Sequence, residues 1–439
     1  MAIAHARRFS APARATKRTP KRVPKRAPKR ASSPAAATSL GPWLTGVLAT
    51  LCVIGLIMVG SASSVVSISY YGSAWAIAIR ECLWMVVGAA AFVAAARLET
   101  KTVRRLSTLL ALGAIGLLVA VLAPGIGTSS FGASRWLGVG ILRIQPSEIA
   151  KLALCLYAAH VIALRERTET EWGRVLRPIA VVTALMAVLV LAQPDMGTAA
   201  VVIAIALAIV VAAGAPGRAV AFTVLLLALG AACAAIAMPY RRARLLSFLN
   251  PQADPAGTGY QLLQSKTGLG AGHLFGLGLG NSREKWGLLP NPHTDFIFSI
   301  IGEELGLLGT LLVLGLLVAL VLLGLRVARN APDRFGQLCA VGISAWLGAE
   351  TIVNVGAAIG ILPITGIPLP FISFGGTSLV IDMAAVGFLV GIARRSGAPR
   401  RAPLRVVGPA PSQRIAVSRG ASRPATHGGR GARTTKRHR

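Results

Sequence analysis

Acidic residues are scarce in this chain. Fifteen Asp and Glu stand against 46 Lys and Arg, leaving a net charge of +31 over 439 residues. Residues 1–40 hold 11 Lys/Arg and no acid, and residues 394–439 hold 13 and no acid. Charged residues of both signs make up only 14%, which excludes a soluble globule of this length. The five cysteines, Cys52, Cys82, Cys155, Cys233 and Cys339, lie inside apolar runs without a close pair or metal-like spacing. They read as small buried residues, not as a disulfide framework or a metal site. His160, His273 and His293 are scattered, and only His293, beside Asp295, falls among other chemistry-bearing residues. No cleavable signal peptide is expected, because the first apolar run follows about 40 residues of basic tail.

Apolar residues are abundant, at 54%. Ten runs approach the ~20 residues that cross a bilayer as helix: 43–66, 74–96, 105–124, 147–164, 178–192, 199–213, 218–238, 296–325, 336–361 and 377–393. The expected fold is therefore all-α: a polytopic membrane domain over 43–393 with a large loop, 239–295, between helices 7 and 8. The flanks, 1–42 and 394–439, should be disordered. Proline recurs every fourth residue in Lys17-Arg18-Thr19-Pro20 and the two following repeats, and this forbids helix. Beside membrane spans, such charge points to an anionic leaflet or an acidic protein and away from nucleic acid.

The positive-inside rule orients the chain. With both tails in the cytoplasm, the short inner loops hold Arg97, Lys101, Arg104, Arg105, Arg165, Arg167, Arg174, Arg177, Arg218, Arg326, Arg329 and Arg334. The short outer loops hold Arg135 and Arg143. The loops at 125–146, 193–197, 239–295 and 363–376 then share the outer face, and they carry most of the unusual polar residues.

The first outer cluster is Gly132-Ala133-Ser134-Arg135-Trp136, with Arg143-Ile144-Gln145-Pro146-Ser147-Glu148-Ile149-Ala150-Lys151. Pro146 and Glu148 suit a helix start. Lys151 lies a turn deeper, either paired with Glu148 or in a cationic site for a lipid-linked phosphate. The second is Gln193-Pro194-Asp195-Met196-Gly197-Thr198, where Asp195 can cap the next helix. The third, in the long loop, includes Arg241, Arg242, Arg244, Gly259-Tyr260-Gln261, Lys266 and a glycine run from Gly268 to Gly280. No βαβ unit surrounds that run, so it is not a nucleotide loop; its glycines suit a closely packed re-entrant or amphipathic segment. The fourth is Pro290-Asn291-Pro292-His293-Thr294-Asp295-Phe296-Ile297-Phe298, running into Gly302-Glu303-Glu304-Leu305-Gly306. Asp295 can cap a helix or act as a general base at a cavity rim. Glu303 and Glu304 cannot both face lipid cheaply. The fifth is Asn354-Val355-Gly356 with Pro363 through Ser378, a rigid proline-rich loop ending in Gly375-Gly376-Thr377-Ser378.

These five clusters, in this order on ten spans, resemble the SEDS family (shape, elongation, division and sporulation) over roughly residues 43–393. Ser61-Ala62-Ser63-Ser64 and Gly302 resemble its FtsW branch, while Gly366-Ile367-Pro368-Leu369-Pro370 looks more like RodA. The resemblance implies a peptidoglycan glycosyltransferase that polymerises lipid II into glycan strands at the outer face of the cytoplasmic membrane. It implies one inverting displacement with undecaprenyl diphosphate leaving. Asp295 matches the family's essential aspartate and takes the role of base. Arg143 and Lys151 are assigned to the diphosphate, with Arg135, Trp136, Glu148, Asp195 and Lys266 as further substrate-binding candidates. No resident metal is expected, although a divalent cation (Mg or Mn) at the diphosphate fits the chemistry. The implied partners are the growing glycan strand, a class B penicillin-binding protein as transpeptidase, and other divisome proteins. Anionic lipid or an acidic cytoplasmic division protein would bind the tails. Asp382 matches no family motif and receives no role. The alternatives are a RodA-like elongation polymerase of the same chemistry and a lipid II flippase, which would need polar groups on a path reaching both faces.

Overall fold

The computed structural model describes residues 40–125, 127–130, 133–138, 143–166, 172–218, 220–221, 223–225, 248–257 and 259–396. Both tails beyond these limits lie outside the described residues. So do Gly132, Arg167, most of the seventh predicted span, and Arg241, Arg242 and Arg244.

The described chain is built from helices: α1 Leu40–Tyr71, α2 Ala76–Arg97, α3 Thr100–Leu122, α4 Pro146–Arg165, α5 Trp172–Ala192, α6 Met196–Ala212, α7 Tyr260–Ala271, α8 Ile297–Asn330, α9 Arg334–Ile359 and α10 Gly376–Ser396. Eight of them are long and apolar enough to cross a membrane; α6, at 17 residues, is apolar but shorter. Nine of the ten predicted spans thus coincide with helices, often longer than predicted. The all-α expectation needs one amendment. A small antiparallel hairpin, β1 Gly127–Ser130 and β2 Ala133–Leu137, stands between α3 and α4.

Local signals set the ends. Pro146 occupies the first turn of α4, where a missing N–H costs nothing. Asp195 caps α6 by accepting from the Thr198 amide at 3.0 Å. The apolar sequence then decides the packing. Leu44, Leu118, Leu154, Ile205, Phe335 and Trp346 are fully enclosed, whereas Val86, Leu109, Leu112 and Val188 face outward, as expected of helices solvated by lipid tails. α2 packs along α10, α8 along α9, and α3 along α4.

The two ends of the bundle differ. At one end Arg334 forks onto Glu166 with two bonds of 2.9 Å, and Arg395 donates to the Leu98 carbonyl. Most of the basic short-loop residues gather here. The opposite end holds the start of α4, α8 and α10 and the hairpin.

α8 is broken near that second end. Gly306 adopts φ 69° and ψ −166°, outside helical space. The segment following α7 lies in the break. Leu277 and Gly278 donate to the Glu303 and Glu304 carbonyls at 2.9 and 3.0 Å, and Leu307 and Leu308 donate to His273 and Leu274. The helix's freed backbone groups are thereby satisfied by a strap of the same chain. A Cβ on Gly306 would meet the strap's Gly276 amide nitrogen at 2.4 Å. This is the close-packed role expected of the glycine run.

Candidate active site

A cavity of about 1120 Å³ opens at the end that holds the hairpin. α1 contributes Tyr70 and Tyr71, and α2 contributes Arg80 and Trp84. The hairpin brings Arg135 and Trp136, and Arg143 and Gln145 precede α4. The segment from Lys285 to Asp295 forms one rim, and residues between Thr365 and Ser378 form another. Four of the predicted site residues therefore meet: Asp295, Arg135, Trp136 and Arg143. Asp295 is the one carboxylate among the described lining residues.

Asp295 sits at the mouth of α8, one residue before the N-cap position. That position falls on Phe296, which supplies no side-chain cap. Its backbone is pinned: Asn354 Nδ2 on α9 donates to its carbonyl at 2.9 Å and to that of Ile367 at 2.8 Å. Ser373 Oγ donates to the Thr294 carbonyl at 2.6 Å, and the Phe374 amide donates to the His293 carbonyl at 2.9 Å. Thr377 Oγ1 donates to the Arg143 carbonyl at 3.1 Å. The two rims and the approach to α4 are therefore tied together by side chains. Phe371 is held at φ 64°, a strained value for an aromatic residue. Its carbonyl lies against Gly55 of α1, where a Cβ would come within 2.3 Å.

The cavity is cationic. Arg135 donates through Nε to the Gln193 carbonyl at 2.9 Å and through Nη2 to that of Pro194, fixing the hairpin to the α5–α6 turn. Arg143 is exposed at the mouth. Arg80 lies 4.1 Å over the Tyr71 ring. Lys285 reaches the wall from a short turn, Glu284–Trp286. Arg80 and Lys285 were not singled out from sequence: Arg80 lay inside the second predicted span, and Lys285 sat unmarked in the long loop. The His293 ring lies tilted against Phe374, 5.8 Å between centroids. Burial pulls its pKa down to about 4, so it is neutral near pH 7 and adds no charge.

Four predicted residues are not brought to the cavity wall. Lys151 is 1% exposed and pairs with Glu148 at 2.7 Å and with Glu350 of α9. Its ammonium also lies 4.9 Å over the Trp346 ring. Asp382 of α10 completes this buried group, with the Glu148, Glu350 and Asp382 carboxylates within 4.8 Å of one another. Lys151 and Glu148 thus hold the bundle together beneath the site, and direct contact with a diphosphate is not what this geometry offers. Intramembrane Glu350 and Asp382 were the available signal for the missing partners. Asp195 is consumed as a cap, bonded to both the amide and the hydroxyl of Thr198. Lys266 is exposed and packs against Gly360, at the C-terminus of α9.

Glu303 and Glu304 are both buried. Glu304 accepts from Ser61 Oγ of α1 at 2.7 and 2.8 Å. Glu303 accepts from the Ser282 hydroxyl and from the Arg283 and Glu284 amides at 2.8 and 3.4 Å. The pair clasps the rim segment onto α8.

The "Cell cycle protein" family model of FtsW, RodA and SpoVE matches residues 42–397. The chain belongs to this family. Stage V sporulation protein E of Bacillus subtilis is 39% identical over 346 residues, covering 79% of this chain and 94% of that protein. A protein of Geobacter metallireducens named probable peptidoglycan glycosyltransferase FtsW is 37% identical over 345 residues, covering 79% and 92%. Among solved structures, one described as "structural coordination of polymerization and crosslinking by a peptidoglycan synthase complex" superposes with a TM-score of 0.67. It is 29% identical and covers 81% of this chain and 97% of that one. The Thermus thermophilus rod shape determining protein RodA superposes with a TM-score of 0.60 at 27% identity, covering 80% and 96%.

Proposed function

We propose that this chain is a peptidoglycan glycosyltransferase acting on lipid II. The observation that carries the reading is Asp295, its backbone pinned by Asn354, on the wall of a cavity whose other charged lining residues, Arg80, Arg135, Arg143 and Lys285, are all cations. Such a site suits attack by a sugar hydroxyl on a donor whose leaving group is a diphosphate. Asp295 takes the proton of the acceptor hydroxyl as the new glycosidic bond forms. The lipid diphosphate departs towards Arg143, with Arg80 and Arg135 adding positive potential. One base suffices where the leaving group needs no protonation, unlike the carboxylate pairs of glycosidases. Tyr70, Tyr71, Trp84 and Trp136 offer ring faces on which sugars pack.

A divalent ion at the diphosphate would be held by Asp295 together with phosphate oxygens, a pattern that Mg²⁺ accepts. When bound it would supply counter-charge to the leaving group. The cationic side chains already provide that charge.

The membrane arrangement belongs to the same reading. The chain crosses the cytoplasmic membrane ten times in this reading, and nine of the crossings coincide with described helices. The long loop stands outside, and both basic tails lie in the cytoplasm near anionic lipid or an acidic division protein. The structural neighbour in a peptidoglycan synthase complex supports a class B penicillin-binding protein as partner. Septal synthesis in the FtsW manner is favoured over elongation by the Ser61–Ser64 and Gly302 features, and Ser61 bonds Glu304 of the adjoining motif.

The test is polymerisation of labelled lipid II in detergent, with and without the partner transpeptidase. Wild-type protein makes polymer, while folded Asp295→Ala and Asp295→Asn make none. Equal polymer from all three would remove Asp295 as base. No polymer even from the partnered wild type would move lipid II translocation to the front.

A further inference from the structure

The four cations of the cavity are not equivalent. Arg135 is committed to two carbonyls, Arg80 lies on an aromatic face, and Arg143 stands in the mouth. Lys285 alone comes from inside, with its side chain 4% exposed. Its Nζ donates at 2.6 Å to the Gly280 carbonyl, and at the longer distances of 3.3 and 3.4 Å to Glu304 Oε1 and Ser61 Oγ. One bond is firm and two are at the long edge of hydrogen bonding.

Glu304 does not depend on that lysine. It holds the Ser61 hydroxyl and, at 3.4 Å, the Ser282 amide. The base of the lysine is fixed too: its amide donates to Ser282 Oγ at 3.3 Å, and the Trp286 amide closes the turn onto Arg283. Gly287, at φ 96°, then directs the chain into the rim that ends at Asp295. An ammonium has three donors on a rotatable stem and can redirect two while keeping the third, whereas a planar guanidinium could not do so as freely.

We infer that Lys285 is a second diphosphate-binding cation of the Asp295 cavity, held in reserve on Glu304 and Ser61 and shared with the anion when it arrives. This rests on the glycosyltransferase reading for the diphosphate, while the place of Lys285 on a cavity wall shared with three arginines rests on the geometry.

The experiment uses the full chain in detergent and measures binding of farnesyl diphosphate, inorganic pyrophosphate and farnesol by calorimetry. Lys285→Met keeps length and removes charge. It should weaken both diphosphates about tenfold, the worth of a charge-assisted bond, and leave farnesol unchanged. Lys285→Arg should fall between Lys285→Met and wild type. Equal diphosphate binding by folded Lys285→Met overturns the inference, as does a wild type that binds neither diphosphate. Should Lys285→Met fail to fold, Glu304→Gln decides: releasing the ammonium from its carboxylate should tighten diphosphate binding several-fold, and unchanged or weaker binding overturns the inference. The outcomes separate from those of the parent reading. Polymer from wild type with full affinity in Lys285→Met sinks only the lysine. Lost affinity in Lys285→Met with no polymer from wild type sinks only the glycosyltransferase.

Discussion

Asn354 Nδ2 donates to the backbone carbonyl of Asp295 at 2.9 Å. One amide on α9 thus sets the height of the candidate base, and its second bond, to Ile367, sets the facing rim. Asn354→Leu keeps the volume and loses both bonds. Each is worth ~0.5–1.5 kcal/mol net, so ~1–3 kcal/mol of stability should go. Polymerisation should fall further than stability explains, with kcat dropping more than KM rises. Steady-state kinetics on the folded variant checks this, and an unchanged kcat would show that Asp295 needs no such support.

For Asp295 itself the expectation is chemical and not structural. General-base help is worth ~10²–10⁴-fold, and Asp295→Asn should lose at least that much rate. The helix cap position belongs to Phe296, so the thermal midpoint of Asp295→Asn should stay near wild type. A large drop in the midpoint would return Asp295 to a structural role.

Lys151 should behave in the opposite way. Removing one partner of a buried ion pair costs ~3–5 kcal/mol because the remaining charges lose their compensation. Lys151→Met leaves Glu148, Glu350 and Asp382 facing one another, and unfolding in detergent should occur at a markedly lower temperature. The double variant Lys151→Met with Glu350→Leu should recover part of that loss. No recovery would mean that Glu350 is not the carboxylate under strain.

Glu284 carries a pH signature. Burial, followed by the nearby Glu303 charge, pushes its carboxyl up from the ordinary 4.5 to about 7, and its Oε2 has no hydrogen-bond partner among the described residues. The folded state therefore holds the proton more tightly than the unfolded chain. Its stabilising contribution is complete below about pH 4.5 and is lost as pH rises through about 7. The thermal midpoint should decline over that window in wild type and stay flatter in Glu284→Gln. Parallel curves would exclude Glu284 as the titrating group.

The sequence announced helices better than contacts. Apolar runs marked nine spans because a bilayer leaves so few alternatives, but they could not mark how far α1 and α8 continue beyond lipid. Asp295, Arg143 and the Arg135–Trp136 pair were legible because charged residues are scarce on the side of the spans where the positive-inside rule puts them. Lys151 was legible as unusual but not as neutralised: Glu350 and Asp382 lie 199 and 231 positions away, and no local pattern joins them. Asp195 read as a cap from its residues and as a ligand only through the family resemblance, and the Thr198 bonds show the cap. Arg80 was hidden in a span whose outer turn stands above the apolar stretch. The hairpin at 127–137 is too short and polar to signal itself by alternation.

The break at Gly306 also works as a depth gauge. At ~1.5 Å per residue, the 34 residues of α8 would measure ~51 Å, well beyond a ~30 Å hydrocarbon core. The stretch from Leu307 to Asn330 alone is ~36 Å by the same rise, enough to cross. The upper turns, with Glu303 and Glu304, then stand at headgroup level as a post rooted in the bilayer, and the strap from residues 272–278 is its collar. Chain that has not yet reached the far side of the membrane cannot close that collar. In the membrane arrangement proposed above, the turn that bears Asp295 is therefore set in place only after the loop preceding it has crossed.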